Sequence, residues 1–295
     1  MAKKKMGMAS RNQTTAGKIF DVANYLFLAL LGVLMLAPLI YVLVGSFSST
    51  GLARLKFGHF SIEAYKMIFS GRMLTALFNS TVITLGGTLL NIVVTSMAAY
   101  VLSKRLLPGR KWMLRIVIFF MLFSAGMIPD FVVVNNKLGL GNSFWALWLP
   151  VTISSANLII MKNFFQDLPE SIEESARIDG CNDIQSFIKI IIPMSKASIA
   201  TFSLFYAVGH WNNYLRPLIY INKPELWPIT VWLRQIVLLS QGTMGDDVVT
   251  EVAAWAPSDA VKYATIVLAT VPIICVYPFL QKHFAKGVTM GSVKG

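Results

Sequence analysis

Six long apolar stretches alternate with shorter polar segments along the chain. They lie near residues 20–45, 76–103, 113–134, 142–162, 197–221 and 260–281. As a helix, each is long enough to cross about 30 Å of hydrocarbon, which takes roughly 20 residues. Helices suit these lengths because backbone polar groups in lipid must be satisfied within the segment. The pattern predicts an all-α polytopic membrane protein, with six transmembrane helices in a transmembrane domain at 20–281.

Proline positions predict where these helices are irregular. The third stretch is the weakest, because Pro129 and Asp130 interrupt it, and we expect the helix to break or end there. Proline removes a backbone donor and clashes with the preceding turn, so kinks are expected in other stretches too. The prolines concerned are Pro38, Pro150, Pro272 and Pro278.

Composition and charge agree with a membrane environment. The chain is 55% hydrophobic and 14% charged, whereas soluble domains carry about 25% charge. The net charge of +12 is spread over many short loops, and no basic stripe with interleaved aromatics indicates a nucleic-acid partner. With the N-terminus inside, 17 of the 26 Lys and Arg residues fall on the inner side. The positive-inside rule then predicts a cytoplasmic N-terminal segment 1–19 and a cytoplasmic tail 282–295.

Two outer segments, 46–75 and 222–259, are long. The first is mixed in character and is predicted to be partly helical. The second carries apolar residues at helical spacing, and two interpretations stay open: an amphipathic helix lying on the outer membrane surface, or a helix packed on the protein. These apolar residues are Trp227, Ile229, Trp232, Ile236 and Leu239.

One polar loop, at about 163–196, holds six of the chain's 14 acidic residues. Pro169 suits a first helical turn, and Ser171 with Glu174 has capping-box spacing. Gly180 can take a left-handed conformation and end the helix. Asn182 with Gln185 is then expected to cap a second helix. The acidic residues are Asp167, Glu170, Glu173, Glu174, Asp179 and Asp183.

The loop resembles the EAA loop of ABC importer permeases, whose pattern is E-A-A, three residues, G, nine residues, I-x-L-P. In this chain Glu174-Ser175-Ala176 is followed by Gly180 and then by Ile190-Ile191-Ile192-Pro193. The spacing matches throughout. Serine replaces the second alanine and isoleucine replaces the leucine, and both departures are mild.

The resemblance implies a type I ABC importer permease fold whose elbow, the coupling helix, docks on an ATPase. Glu174 would face basic groups of that ATPase, while the small residues Ser175, Ala176 and Gly180 would allow close packing. Glu173 and Asp179 flank the motif, either as further charge contacts or as a solvated helix face, and Pro193 closes it. The implied partners are a second, non-identical permease, two cytoplasmic ATPases, an external solute-binding protein and membrane lipid.

A polar cluster at the outer part of the fifth stretch resembles the carbohydrate branch of these permeases, which includes the smaller membrane subunit of the maltose importer. Sugars offer hydroxyls to polar side chains and flat C–H faces to aromatics. Together with His210, the cluster implies either a polar cavity on the substrate path or a buried helix–helix network. Its arginine would pair with an acidic sugar or snorkel to the interface. The candidate residues are Trp211, Asn212, Asn213, Tyr214 and Arg216.

Other chemistry finds little support in the sequence. No P-loop pattern occurs, so ATP hydrolysis needs a separate subunit. The three histidines are scattered, no metal or cofactor site is predicted, and Cys181 and Cys275 are expected to be free thiols. The competing hypotheses are a secondary transporter using Asp21 or Asp130, a membrane enzyme, and a homodimeric permease for another solute. Transport that persists without an ATPase would favour the first.

Overall fold

The computed structural model describes residues 15–49, 58–69, 71–240 and 259–291. Over these ranges the chain is helical, and its only extended pairing is an isolated bridge between Ser48 and Phe60, which confirms the all-α prediction there. The predicted segments 1–19, 46–75, 222–259 and 282–295 lie partly outside the described residues. The helices are α1 (Thr15–Ser46), α2 (Glu63–Phe69), α3 (Arg72–Ser103), α4 (Arg110–Leu122), α5 (Met127–Phe131, then a π-helix Val132–Lys137), α6 (Trp145–Trp148, then a 3-10 turn Leu149–Val151), α7 (Ser155–Gln166), α8 (Glu170–Ile178), α9 (Asp183–Ser186, then a π-helix Phe187–Ile191), α10 (Ile192–Met194), α11 (Lys196–Asn212), α12 (Leu215–Tyr220), a 3-10 turn Pro224–Leu226, α13 (Ile229–Ser240) and α14 (Asp259–Gly291).

Among the described residues, three helices are long and apolar enough to cross a membrane without interruption. They are α1, α3 and α14, which contain the candidate spans Gly17–Ser46, Arg72–Ser103 and Asp259–Val276. Each lies where the apolar pattern predicts a span. Helix α1 contains Pro38 in its interior, and its apolar side chains are almost all exposed within this chain. A surface of that composition suits lipid or another apolar protein surface.

The third predicted span, 113–134, consists of two helices, α4 and α5, bent by 110°. The sequence predicts the interruption at Pro129 and Asp130, but the chain turns earlier, between α4 and α5, at residues 123–126. Gly126 there has a left-handed φ of 88°. Pro129 lies in the first turn of α5, where a missing backbone N–H costs no helical hydrogen bond. The predicted position of the break is therefore wrong by a few residues.

The fourth predicted span, 142–162, is not one continuous helix, and its interruption begins at Pro150, where the sequence predicts a kink. Helix α6 passes into a 3-10 turn that contains Pro150, and α7 starts anew after Ser154. The Ser154 hydroxyl accepts a hydrogen bond from the backbone N–H of Asn157, which is the arrangement of a helix N-cap. By length and composition, the described residues contain three spans, or five if each bent helix pair is one span.

Helix α13 packs inside the protein, which answers the question that its amphipathic pattern leaves open. Its apolar residues Ile229, Trp232 and Ile236 are buried in a core shared with α2, α3 and α14. The amide of Asn79 on α3 donates to the carbonyl oxygen of Glu225 at 2.7 Å. This bond helps to hold the segment before α13 against the bundle.

Helix α3 lies at the centre of the fold. It packs along α11 on one side and along α7 on another. Two adjacent glycines on α3 permit close packing, because the Trp148 ring of α6 lies against Gly86 and the His210 ring of α11 lies against Gly87. Small residues allow helix backbones to approach closely in membranes. One end of α3 meets the acid-rich loop, and its middle lines the cavity described below.

Candidate functional site

The acid-rich loop forms an elbow, defined here as residues 167–195, which contains α8, α9 and α10. Helix α8 ends at Ile178, and Gly180 just after it has a left-handed φ of +83°, as predicted for the residue that ends the helix. The backbone N–H of Cys181 reaches back to the carbonyl oxygen of Ala176 at 2.9 Å. This bond satisfies a carbonyl at the helix end and fixes the turn between the two helices.

One of the two predicted helix caps forms in the elbow, and the other does not. The backbone N–H of Gln185 donates to Asn182 Oδ1 at 2.8 Å, and the N–H of Asn182 donates to Gln185 Oε1 at 3.1 Å, which confirms the capping box of α9. The predicted box at Ser171 and Glu174 is absent. Helix α8 begins one residue after Pro169, so Ser171 already lies inside its first turn.

The outer face of the elbow combines carboxylates with exposed isoleucines. Glu174, Ser175, Asp179, Gly180 and Pro193 are all exposed. Ile178 and Ile184 are 86% and 69% exposed, so apolar side chains lie beside the carboxylates on this face. The sequence reasoning missed these two isoleucines; their place on the polar side of short amphipathic helices is the signal that could have found them.

Ala176 of the motif and the flanking Glu173 face the helix bundle instead. Ala176 is buried, so its small side chain serves packing within this chain. The Glu173 carboxylate accepts a hydrogen bond from the Tyr100 hydroxyl at 2.5 Å and forms an ion pair with the Lys104 ammonium. Burial and the nearby Arg177 guanidinium lower the pKa of Lys104 to about 8, while the Asp183 and Glu170 carboxylates oppose this shift.

A cavity of about 570 Å³ lies between α3, α4, α7 and α11 and is lined by both polar and apolar side chains. Its volume is within the usual size range of ligand pockets. His210 Nε2 lies 3.2 Å from Asn91 Oδ1, and the Tyr206 hydroxyl lies 2.9 Å from Thr95 Oγ1. The polar side chains that line the cavity are Asn91, Ser154, Ser155, Asn157, Tyr206, His210, Asn213 and Arg216.

Only part of the predicted substrate cluster reaches this cavity. Asn213 and Arg216 line it, and the Arg216 Nη1 atom is buried without a hydrogen-bond partner among the described residues. Trp211 is instead buried against α14, where its indole N–H donates to the carbonyl oxygen of Ala269 at 2.9 Å. The Asn212 amide bonds to its own helix, and Tyr214 is exposed outside the cavity lining.

The sequence reasoning did not select several residues that line the cavity from α3 and α7. Asn91 donates to the carbonyl oxygen of Val151 at 2.6 Å and also contacts His210. Its place within a long apolar helix is a signal of burial, because an amide in a span needs a polar partner. The pattern does not say whether that partner is another helix or a ligand, and the structure shows a protein contact beside an open cavity.

Comparison with known proteins matches this architecture over nearly the whole chain. Protein LplC of Bacillus subtilis is 48% identical over 292 residues, covering 96% of this chain and 98% of the relative. The polygalacturonan/rhamnogalacturonan transport system permease protein YtcP of the same organism is 47% identical over 284 residues, covering 94% and 99%. A bacterial ABC transporter involved in the import of the acidic polysaccharide alginate has a crystal structure that matches with a TM-score of 0.82 at 29% identity, covering 92% of this chain and 98% of that chain.

The fold, the elbow and these matches define a membrane-embedded permease subunit with the type I ABC permease fold. Residues 91–290 match the family described as "Binding-protein-dependent transport system inner membrane component", and this chain belongs to that family. The family confirms the resemblance that the EAA loop indicates. It makes the chain a transport subunit of the inner membrane and not an enzyme.

Proposed function

We propose that this chain is the permease subunit of an ATP-driven importer for an oligosaccharide that carries carboxylate groups. The observation that carries the proposal is the position of Arg216, which is the only arginine or lysine among the described residues that line the cavity; the other polar side chains there are amides, hydroxyls and an imidazole. Such neutral groups suit sugar hydroxyls, and a guanidinium suits a carboxylate through two parallel hydrogen bonds. The relatives named for polygalacturonan and alginate support the same substrate class.

Replacing Arg216 by glutamine tests whether the transported oligosaccharide is recognised through its carboxylate groups. Hydrogen bonds to charged groups contribute about 1.5–3 kcal/mol, so uptake efficiency for a galacturonate oligomer should fall roughly 10- to 100-fold at 1.4 kcal/mol per tenfold. The assay is uptake into proteoliposomes that contain the whole complex. Arg216→Lys keeps the charge but cannot form two parallel hydrogen bonds, so its uptake efficiency should lie between those of the wild type and Arg216→Gln. Uptake of a neutral oligosaccharide of equal length, with no competition from the uronate oligomer, would contradict the proposed substrate.

ATP-driven coupling is proposed to run through the outer face of the elbow, with a separate ATPase docked on Glu174 and the two exposed isoleucines. Ile178 is 86% exposed, so Ile178→Asp should leave the fold unchanged. A charge in an apolar contact must be desolvated on docking, and co-purification of the ATPase should therefore be lost. Ile178→Leu keeps the apolar surface and serves as the control. Undiminished co-purification of the Asp variant would count against this docking site.

We further propose six membrane crossings, both termini in the cytoplasm, and assembly with a second, non-identical permease, two ATPases and an external binding protein. The distribution of Lys and Arg supports this orientation. Cys181 lies in the elbow and is partly accessible, so in a Cys275→Ser background an impermeant maleimide should label it only from the cytoplasmic side. Labelling from outside would contradict the topology. A purified complex with two copies of this chain and no second permease would contradict the heteromeric assembly.

A further inference from the structure

Glu173 differs from the other paired carboxylates of the elbow in where its side chain lies. The Glu170–Arg105 and Asp183–Arg177 pairs are more than half exposed on both sides, and exposed pairs contribute little. The Glu173 side chain is only 19% exposed. It is enclosed by two residues at the end of α3, since Tyr100 donates its hydroxyl at 2.5 Å and Lys104 supplies an ammonium.

The residues around this contact form a compact cluster. The Lys104 ammonium lies 4.1 Å from the centre of the Tyr100 ring, which is a cation–π distance. The same ring packs against Phe187 on the second half of the elbow, with centroids 5.1 Å apart. Tyr100 therefore touches both halves of the elbow, and Glu173 joins α8 to the end of α3.

Helix α3 connects this cluster to the cavity as one continuous helix. Asn91, nine residues before Tyr100, lines the cavity and contacts His210 at 3.2 Å. Between them, Thr95 contacts the Tyr206 hydroxyl of α11 at 2.9 Å. At 1.5 Å per residue, Asn91 and Tyr100 are about 13 Å apart along the axis. No proline interrupts α3, whereas the path from the elbow directly into α11 bends by 84° near Ser195.

We infer that Glu173 is a positioning residue that fastens the elbow to α3, so that displacement of the elbow moves α3 and, through it, the cavity wall. The inference rests on the proposed docking of an ATPase on the elbow. In this arrangement the two adjacent glutamates have separate tasks. Glu174 is exposed to the partner, and Glu173 transmits the movement within the chain.

Glu173→Gln tests the inference in the complete complex, with its ATPases and binding protein reconstituted in liposomes. Glutamine keeps the size of the side chain and removes the charge. ATPase co-purification should match wild type, and the amount of solute transported per ATP hydrolysed should fall roughly two- to thirtyfold, the range for mutations along a coupling route. Glu170→Gln is the matched control, because it removes an exposed charge from the same helix and should leave this ratio unchanged.

The exchanged pair Glu173→Lys with Lys104→Glu provides a second, independent measurement. It rebuilds the ion pair in reverse, so it should recover coupling that either single substitution loses. Hydrogen exchange of α8 in each variant separates lost coupling from an unfolded elbow. An unchanged transport ratio in Glu173→Gln would overturn the inference. Loss of ATPase co-purification in this variant, with α8 still folded, would also overturn it, because Glu173 would then be a contact with the ATPase. A wild-type complex without ATPase on the elbow would instead refute the proposed function.

Discussion

Replacing Gly87 by alanine tests how closely α11 must approach α3 beside the cavity. A Cβ atom at Gly87 would lie 2.5 Å from His210 Nε2 and 2.6 Å from its Cε1. Ordinary van der Waals contact begins at 3.4 Å, so the imidazole must move by about 0.9 Å. The ring lies between α3 and α11 and contacts Asn91 Oδ1 at 3.2 Å. A shift of that size therefore pushes the helices apart or breaks this contact.

The expected cost follows from three contributions. Overpacking a close contact costs about 1–3 kcal/mol, and losing the Asn91–His210 hydrogen bond costs about 0.5–1.5 kcal/mol. Alanine recovers about 1 kcal/mol relative to glycine within a helix. The net destabilisation of Gly87→Ala is therefore about 0.5–3.5 kcal/mol. Gly32→Ala in α1 is the matched control, because nothing lies within 4 Å of the added Cβ, and it should be neutral or slightly stabilising.

Thermal melting of the purified protein in one detergent measures the difference between these variants. Removing the imidazole should relieve the clash, so the double variant Gly87→Ala with His210→Ala should be more stable than the sum of the two single effects predicts. Coupling of this kind is expected only between residues in contact. The reasoning would be refuted if Gly87→Ala had the melting temperature of the wild type, or if the two effects were strictly additive in the double variant.

Three further substitutions test contacts elsewhere. Asn182→Ala removes the cap of α9 and should cost about 1 kcal/mol, visible as faster hydrogen exchange in the second half of the elbow; unchanged exchange would contradict it. Asn79→Leu leaves the Glu225 carbonyl oxygen without its donor and should lower stability by about 1–3 kcal/mol, whereas an unshifted melting temperature would show that the bond is dispensable. Gly86→Ala places a Cβ 2.7 Å from the Trp148 ring and should destabilise by about 1–3 kcal/mol; a wild-type melting curve would argue against close packing there.

Local rules were sufficient to predict the long helices and most of the elbow from the sequence. Uninterrupted apolar runs predict α1, α3 and α14 because a helix in lipid satisfies its own backbone. Gly180 and Asn182 act through their own conformation and hydrogen bonds, and both behave as predicted. The same rules were wrong where two local signals compete. Gly126 sets the corner that Pro129 was expected to make, and Pro169 starts α8 before Ser171 can cap it.

The direction in which several side chains face was decided only by the tertiary structure. The sequence by itself determined a helical membrane protein and the elbow of an importer permease, because periodicity, turn residues and motif spacing are local properties. It did not determine that Glu173 turns inward to Tyr100 and Lys104, or that Arg216 lines a cavity while Trp211 packs against α14. Those outcomes depend on how α3, α11 and α14 pack against one another. Contacts between helices far apart in the chain set that packing, and no spacing within one helix encodes it.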